Sequence, residues 1–104
     1  MTSHDMKKII GAQLRAGRAL LRWSAEELAG NSGVGLATIR RAELIDGETK
    51  MTAPNEAAVR AALEKAGVEF IPENGGGAGV RLRKGLGAKV GSIPVEELNA
   101  ENDE

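Results

Sequence analysis

Residues 14–44, LRAGRALLRWSAEELAGNSGVGLATIRRAEL, decide the fold. Within them Ser24-Ala25-Glu26-Glu27 is a capping box: the Ser24 hydroxyl can accept from the Glu27 N–H, and the Glu27 carboxylate can reach back to the Ser24 N–H. Trp23 and Leu28 hold the two positions of a hydrophobic staple. A helix therefore starts at Ala25. Gly30, Asn31 and Gly33 keep it short, because both glycines favour a stop or a positive φ. Val34, the one apolar residue of the turn, is expected to point inward. A second helix follows from about Leu36, with Ile39 and Ala42 on one side and Leu36, Ala37, Arg40 and Arg41 mostly on the others. Two short helices joined by a glycine-containing turn of about three or four residues form the helix-turn-helix unit, whose second helix can enter the DNA major groove.

Upstream, a helix is predicted from Gly11 or Ala12 to Arg22, with Leu14 and Leu21 inward. Gly17, between them, costs a helix interior about 1 kcal/mol relative to alanine, which implies close packing at that point. Arg15, Arg18 and Arg22 recur at i, i+3, i+7 and share a face. Downstream, residues 44–53 form a connection with a turn at Asp46-Gly47. A strong helix then opens at Pro54-Asn55-Glu56, with Asn55 as the expected cap, Ala58, Val59, Ala62, Leu63 and Ala66 as its apolar face, and Gly67 as its stop. The period then changes from helix to strand. Val68-Glu69-Phe70-Ile71 and Val80-Arg81-Leu82-Arg83 flank a glycine-rich loop and predict a β-hairpin. The loop lacks the Gly-Lys-Ser/Thr ending and the following helix of a phosphate-binding loop.

Composition narrows the function. The chain has 104 residues and no cysteine, and His4 is its sole histidine. Disulfides, thiolate metal sites and Ser/His or Cys/His catalytic pairs are therefore excluded, and no cofactor, metal or enzymatic activity is expected. No apolar run approaches the roughly 18 residues that span a bilayer, and the N-terminus lacks the apolar core of a secretory signal, so a cytoplasmic protein without a membrane partner is expected. The formal net charge of −1 conceals an asymmetry: residues 1–84 carry a net +3 and residues 85–104 a net −4. The expected organisation is a flexible N-terminus (1–8), a helix-turn-helix domain (9–67), a hairpin (68–84) able to pair two copies, and a flexible acidic tail (85–104).

Ser24-Ala25-Glu26-Glu27-Leu28-Ala29, followed by Ser32-Gly33-Val34 and Ala37-Thr38-Ile39-Arg40-Arg41-Ala42-Glu43, resembles the Cro/repressor-type (lambda-repressor-like, or XRE) helix-turn-helix family over about Ile9 to Gly67. The resemblance implies a mainly α, four- or five-helix domain, here extended by the C-terminal hairpin. It further implies an ion pair between Arg18 of the first helix and Glu43 just after the recognition helix, and a short helix near residues 44–53. The sequence departs from the family pattern where Ala25 replaces a phosphate-clamping Gln, Gly35 replaces Ser or Thr, and Leu36 replaces a polar base reader.

The resulting expectation is a sequence-specific, DNA-binding transcription regulator, a dimeric repressor of double-stranded DNA. Arg40 and Arg41 are the candidate base readers, since the arginine fork matches the O6 and N7 acceptors of guanine. Thr38 is a phosphate or base contact, and Leu36 and Ala37 can meet a thymine methyl. Arg15, Arg22, Lys50 and Thr52 are placed to face phosphate. The alternative is a protein-interaction module on the same fold, an antitoxin or anti-activator, which Ala25, Gly35, Leu36 and the low net charge favour.

Overall fold

The computed structural model describes residues 8–84; the N-terminal segment 1–7 and the acidic tail 85–104 discussed above lie outside them. Four helices, α1 (Gly11–Leu21), α2 (Ala25–Ser32), α3 (Leu36–Glu43) and α4 (Ala53–Lys65), precede a two-stranded antiparallel hairpin, β1 (Val68–Ile71) and β2 (Gly79–Leu82). The described chain is mainly α, as the periodicities predict.

Each boundary has a local cause. Ser24 caps α2 as the sequence suggests: the Glu27 N–H donates to Ser24 Oγ at 3.0 Å, and the Ser24 N–H donates to Glu27 Oε1 at 2.7 Å. α2 runs through Gly30 and Asn31, one turn longer than those residues suggest, and the Asn31 amide donates to the Glu27 carbonyl at 2.8 Å. It stops at Gly33, whose φ of 79° is open to glycine at no steric cost. Val34 then turns inward and Ile39 and Ala42 follow it into the core.

α1 begins without a Ser or Asp cap. Its first N–H groups are satisfied across the fold instead, Gly11 donating to the Gly47 carbonyl at 2.7 Å and Ala12 to the Asp46 carbonyl at 3.3 Å. The Gln13 side chain reaches back to accept from the Ile10 N–H at 3.0 Å. Gly11 lies so close to the end of α3 that a Cβ there would run into the carbonyl oxygens of Ala42 and Ile45.

Two expectations need correction. α4 opens at Ala53, with Thr52 rather than Asn55 as its cap; the Asn55 N–H donates to Thr52 Oγ1 at 3.3 Å. Proline at the second helical position fits, because its missing N–H is an orphan there in any helix. Among the described residues no helix forms between α3 and α4. Residues 44–52 are held by a bridge between Ile10 and Glu48 and by Glu56, whose carboxylate accepts from the Ile9 N–H and the buried Thr49 hydroxyl, each at 3.1 Å.

The core joins all the elements. Leu14, Leu28, Ile39, Val59, Leu63 and Val68 are fully buried, with Phe70 closing the hairpin side. Gly17 is buried beside Leu63 and Val68, but a Cβ there would meet them only at ordinary van der Waals distance, so the approach is not close enough to require glycine. The hairpin lies with β2 against α1 and β1 against α4.

Candidate nucleic-acid interface

The fold holds α3 from both ends. At its start the three residues 33–35 bring it around from α2. At its finish Arg18 grips Glu43 with two hydrogen bonds, Nε to Oε2 at 2.8 Å and Nη2 to Oε1 at 2.7 Å, while Arg18 Nη1 donates to the Trp23 carbonyl at 2.9 Å. This bidentate geometry ties α1, the α1–α2 corner and α3 together. The hydrogen bond to Glu43 raises the Arg18 pKa above its ordinary value, against the opposing effect of burial, so the guanidinium stays charged.

With Ile39 and Ala42 inward, the outward surface of α3 consists of Ala37, Arg40 and Arg41, flanked by the half-buried Leu36 and Thr38. Arg41 Nη2 lies 3.4 Å from Thr38 Oγ1. Arg40 leans toward α2, where its Nη2 donates to Glu26 Oε2 at 2.9 Å, and both side chains are more than half exposed. Glu26 carries no sequence signal for this contact, because it lies in the first turn of α2, where an acid is explained by the helix dipole alone.

The remaining cations are dispersed around this helix. Lys50 takes a φ of 65° in the irregular 44–52 connection. It joins Thr38, Arg41, Thr52 and Asn55 along a shallow cleft of about 430 Å³ between α3 and the start of α4. Thr52 and Asn55 line this cleft because α4 starts at Ala53. Thr52 is expected at such a position from the sequence; for Asn55 its place as third helical residue after that cap is the signal that would have placed it. Arg22 is exposed at the α1–α2 corner in a left-handed conformation, φ 59°.

Arg15 is engaged elsewhere: Nη1 donates to the Glu43 carbonyl and Nη2 to Asp46 Oδ1, each at 2.6 Å. It thereby neutralises the carbonyl end of α3. The structure thus brings Thr38, Arg41 and Lys50 together, keeps Leu36, Ala37 and Arg40 on the adjoining surface of α3, and sets Arg15 and Arg22 apart from them. A larger cleft, about 590 Å³, is lined by Lys8 and Arg60 but equally by Glu48 and Glu73, which gives it no preference for an anion.

The chain matches no family model, and no curated protein matches it. Among the described residues no helix is long and apolar enough to cross a membrane.

Proposed function

We propose that this protein is a small DNA-binding transcription regulator of the lambda-repressor-like helix-turn-helix kind, which represses as a dimer by occupying an operator. One observation carries the reading: a three-residue turn presents α3, packed inward on Ile39 and Ala42 and pinned by Arg18–Glu43, with Arg40 and Arg41 on its outer surface. α3 enters the major groove, Arg41 and Arg40 read base edges, and Lys50 with the start of α4 meets the backbone phosphates. Arg22 adds a phosphate contact from the α1–α2 corner. Arg15 supports the end of α3 rather than touching DNA.

The test is fluorescence anisotropy of the full chain against DNA from upstream of its own gene, at two salt concentrations, with scrambled DNA alongside. Saturable binding that exceeds scrambled DNA, weakens with salt and disappears in a folded Arg40→Ala/Arg41→Ala chain is the expected result. Binding no better than to scrambled DNA, and unchanged in the double variant, refutes the assignment of the two arginines.

A second reading, a protein-interaction module on the same fold, rests on Leu44. It follows α3 directly and is 83% exposed, an apolar side chain with no role in the core. A regulator that is also held by a protein partner through Leu44 reconciles both readings.

A further inference from the structure

The Arg83 N–H donates to the Gly67 carbonyl at 2.8 Å. Antiparallel ladders alternate hydrogen-bonded with non-hydrogen-bonded pairs. Since Glu69 stands opposite Arg81 and Ile71 opposite Gly79, these are the pairs that exchange ladder bonds. The N–H and C=O groups of Val80 and Leu82 therefore face away from β1, and among the described residues they have no partner.

The apolar cover beside this edge is incomplete. Val68 and Phe70, on β1, are buried, whereas Leu82 is 39% exposed. α1 packs against β2, with Gln13 donating to the Gly79 carbonyl at 2.9 Å and Gly17 against Val68, the residue opposite Leu82. Leu20, one turn further along α1, is 40% exposed. An unpaired strand edge thus runs beside apolar side chains that the fold leaves half in water.

We propose that a second copy of this chain covers this edge, β2 pairing antiparallel with β2 about a two-fold axis at Val80, so that the two hairpins form one four-stranded sheet. This inference rests on the dimeric part of the proposed function and not on DNA binding. Charge selects the register. An axis at Arg81 sets that arginine against its own copy, and an axis at Leu82 sets Arg81 against Arg83 on both sides of the seam. Like charges directly opposite one another destabilise a sheet.

An axis at Val80 sets Arg81 opposite Gly79, Leu82 opposite Ala78 and Val80 opposite itself. Each Arg81 then keeps its 3.1 Å bond to Glu69, with no cation across the seam. An axis nearer the loop would pair Leu82 with Gly76, between the positive-φ Gly75 and Gly77 where an extended strand cannot continue. The Val80 register also gathers Ala78, Val80 and Leu82 on the covered face, and two further strands strengthen a hairpin that is marginal alone.

The chain has no cysteine, so one introduced thiol reports one contact. In a hydrogen-bonded pair at the axis the Cα atoms are about 5.5 Å apart, within disulfide reach. The two copies of residue 81 are diagonal neighbours about 7–8 Å apart, beyond it. Full-length Val80→Cys and Arg81→Cys are oxidised side by side, with no DNA present, and the wild-type mass is measured by light scattering.

The expected results are a wild-type mass of twice the 10.9 kDa chain and a covalent dimer that forms about tenfold faster in Val80→Cys than in Arg81→Cys. Exposed Leu82→Lys should be a monomer with an unchanged far-UV spectrum. A monomeric wild type overturns both the edge and the dimer. Cross-linking led by Arg81→Cys overturns the register. A dimer that neither thiol links and that Leu82→Lys leaves intact overturns the edge alone, with the dimeric regulator still standing.

Discussion

Arg18 serves three acceptor atoms on two partners, Glu43 and Trp23, from one side chain, and the consequences of losing it follow from Glu43. The Glu43 side chain is only 9% exposed and Arg18 only 24%. Removing the cation strands a largely buried carboxylate, which typically costs about 3–5 kcal/mol. Arg18→Met should therefore lower the stability measured by urea unfolding by about that amount, whereas Arg18→Met/Glu43→Leu should recover most of it, because exchanging both members of a buried pair for apolar groups is often close to neutral. A double variant no more stable than the single would mean that Arg18 acts mainly through the Trp23 carbonyl. Arg40 presents the opposite case. Its pair with Glu26 is exposed on both sides, and such pairs contribute little to stability, about 0–1 kcal/mol. The pair matters for where the guanidinium points and for the acid it keeps beside the proposed DNA-facing surface. Glu26→Gln should lower the melting temperature only slightly, through the lost interaction with the α2 dipole, while tightening DNA binding a few-fold at low salt, an advantage that shrinks as salt screens it. Weaker binding by Glu26→Gln would mean that Glu26 orients Arg40 productively rather than competing for it. Neither partner choice was legible from spacing alone: the Arg18–Glu43 pair comes from the family resemblance, and Arg40–Glu26 joins two helices whose crossing the sequence does not specify.

At the scale of elements, the parts that were legible are those stabilised from within. α2 carries its own cap, α3 its own apolar side and the hairpin its own alternation, and all three form as the sequence suggests, with α2 one turn longer and β2 shifted one residue earlier, to Gly79–Leu82. The starts of α1 and α4 and the 44–52 connection draw on distant partners instead. α1 uses carbonyls of residues 46 and 47 in place of a cap, and Gly11 is required there by the approach of Ala42 and Ile45. No helix-propensity argument reaches that requirement. Gly11→Ala, favourable in an isolated helix, should here destabilise by about 3 kcal/mol or more, since backbone carbonyls cannot move aside as a side chain can. A neutral or stabilising result, read by thermal unfolding, would mean that the junction between α1 and the end of α3 is looser than its hydrogen bonds suggest. Ser24→Ala, by contrast, removes a purely local cap and should cost about 1 kcal/mol. The hairpin adds a pH dependence. Hydrogen bonds from Arg81, aided by its charge and that of Arg83, hold the Glu69 carboxyl below its ordinary value of 4.5 despite some desolvation. A carboxylate whose folded pKa is depressed contributes stability above its unfolded pKa, and that contribution is lost as pH falls through the folded value. The Glu69 side-chain resonance should therefore titrate below the ordinary carboxylate range, and Arg81→Gln should return it there. A midpoint that stays put in Arg81→Gln would leave Arg81 without the assigned role.

For the whole molecule the decisive quantity is the distribution of charge rather than its sum. A formal net charge of −1 argues against a polyanion as partner, yet residues 1–84 carry a net +3 and the cations of the proposed interface lie within them. The five acids Glu96, Glu97, Glu101, Asp103 and Glu104 reverse the total and belong to the same chain, so they are present wherever the proposed interface is. Their electrostatic effect on DNA binding should be indifferent to base sequence, because phosphate charge is the same on every site. Replacing them with Gln or Asn moves the formal charge from −1 to +4. The neutralised chain should bind scrambled DNA and operator DNA more tightly by similar factors at low salt, leaving their ratio unchanged, and the gain should vanish as the Debye length contracts to about 3 Å near 1 M salt. Anisotropy titrations of both chains on both DNAs, across a salt series, read this directly. If only operator binding improves, the acids engage the proposed base-reading surface of α3 itself. If neither changes, the acidic segment plays no part in binding and the +3 of the preceding residues acts alone.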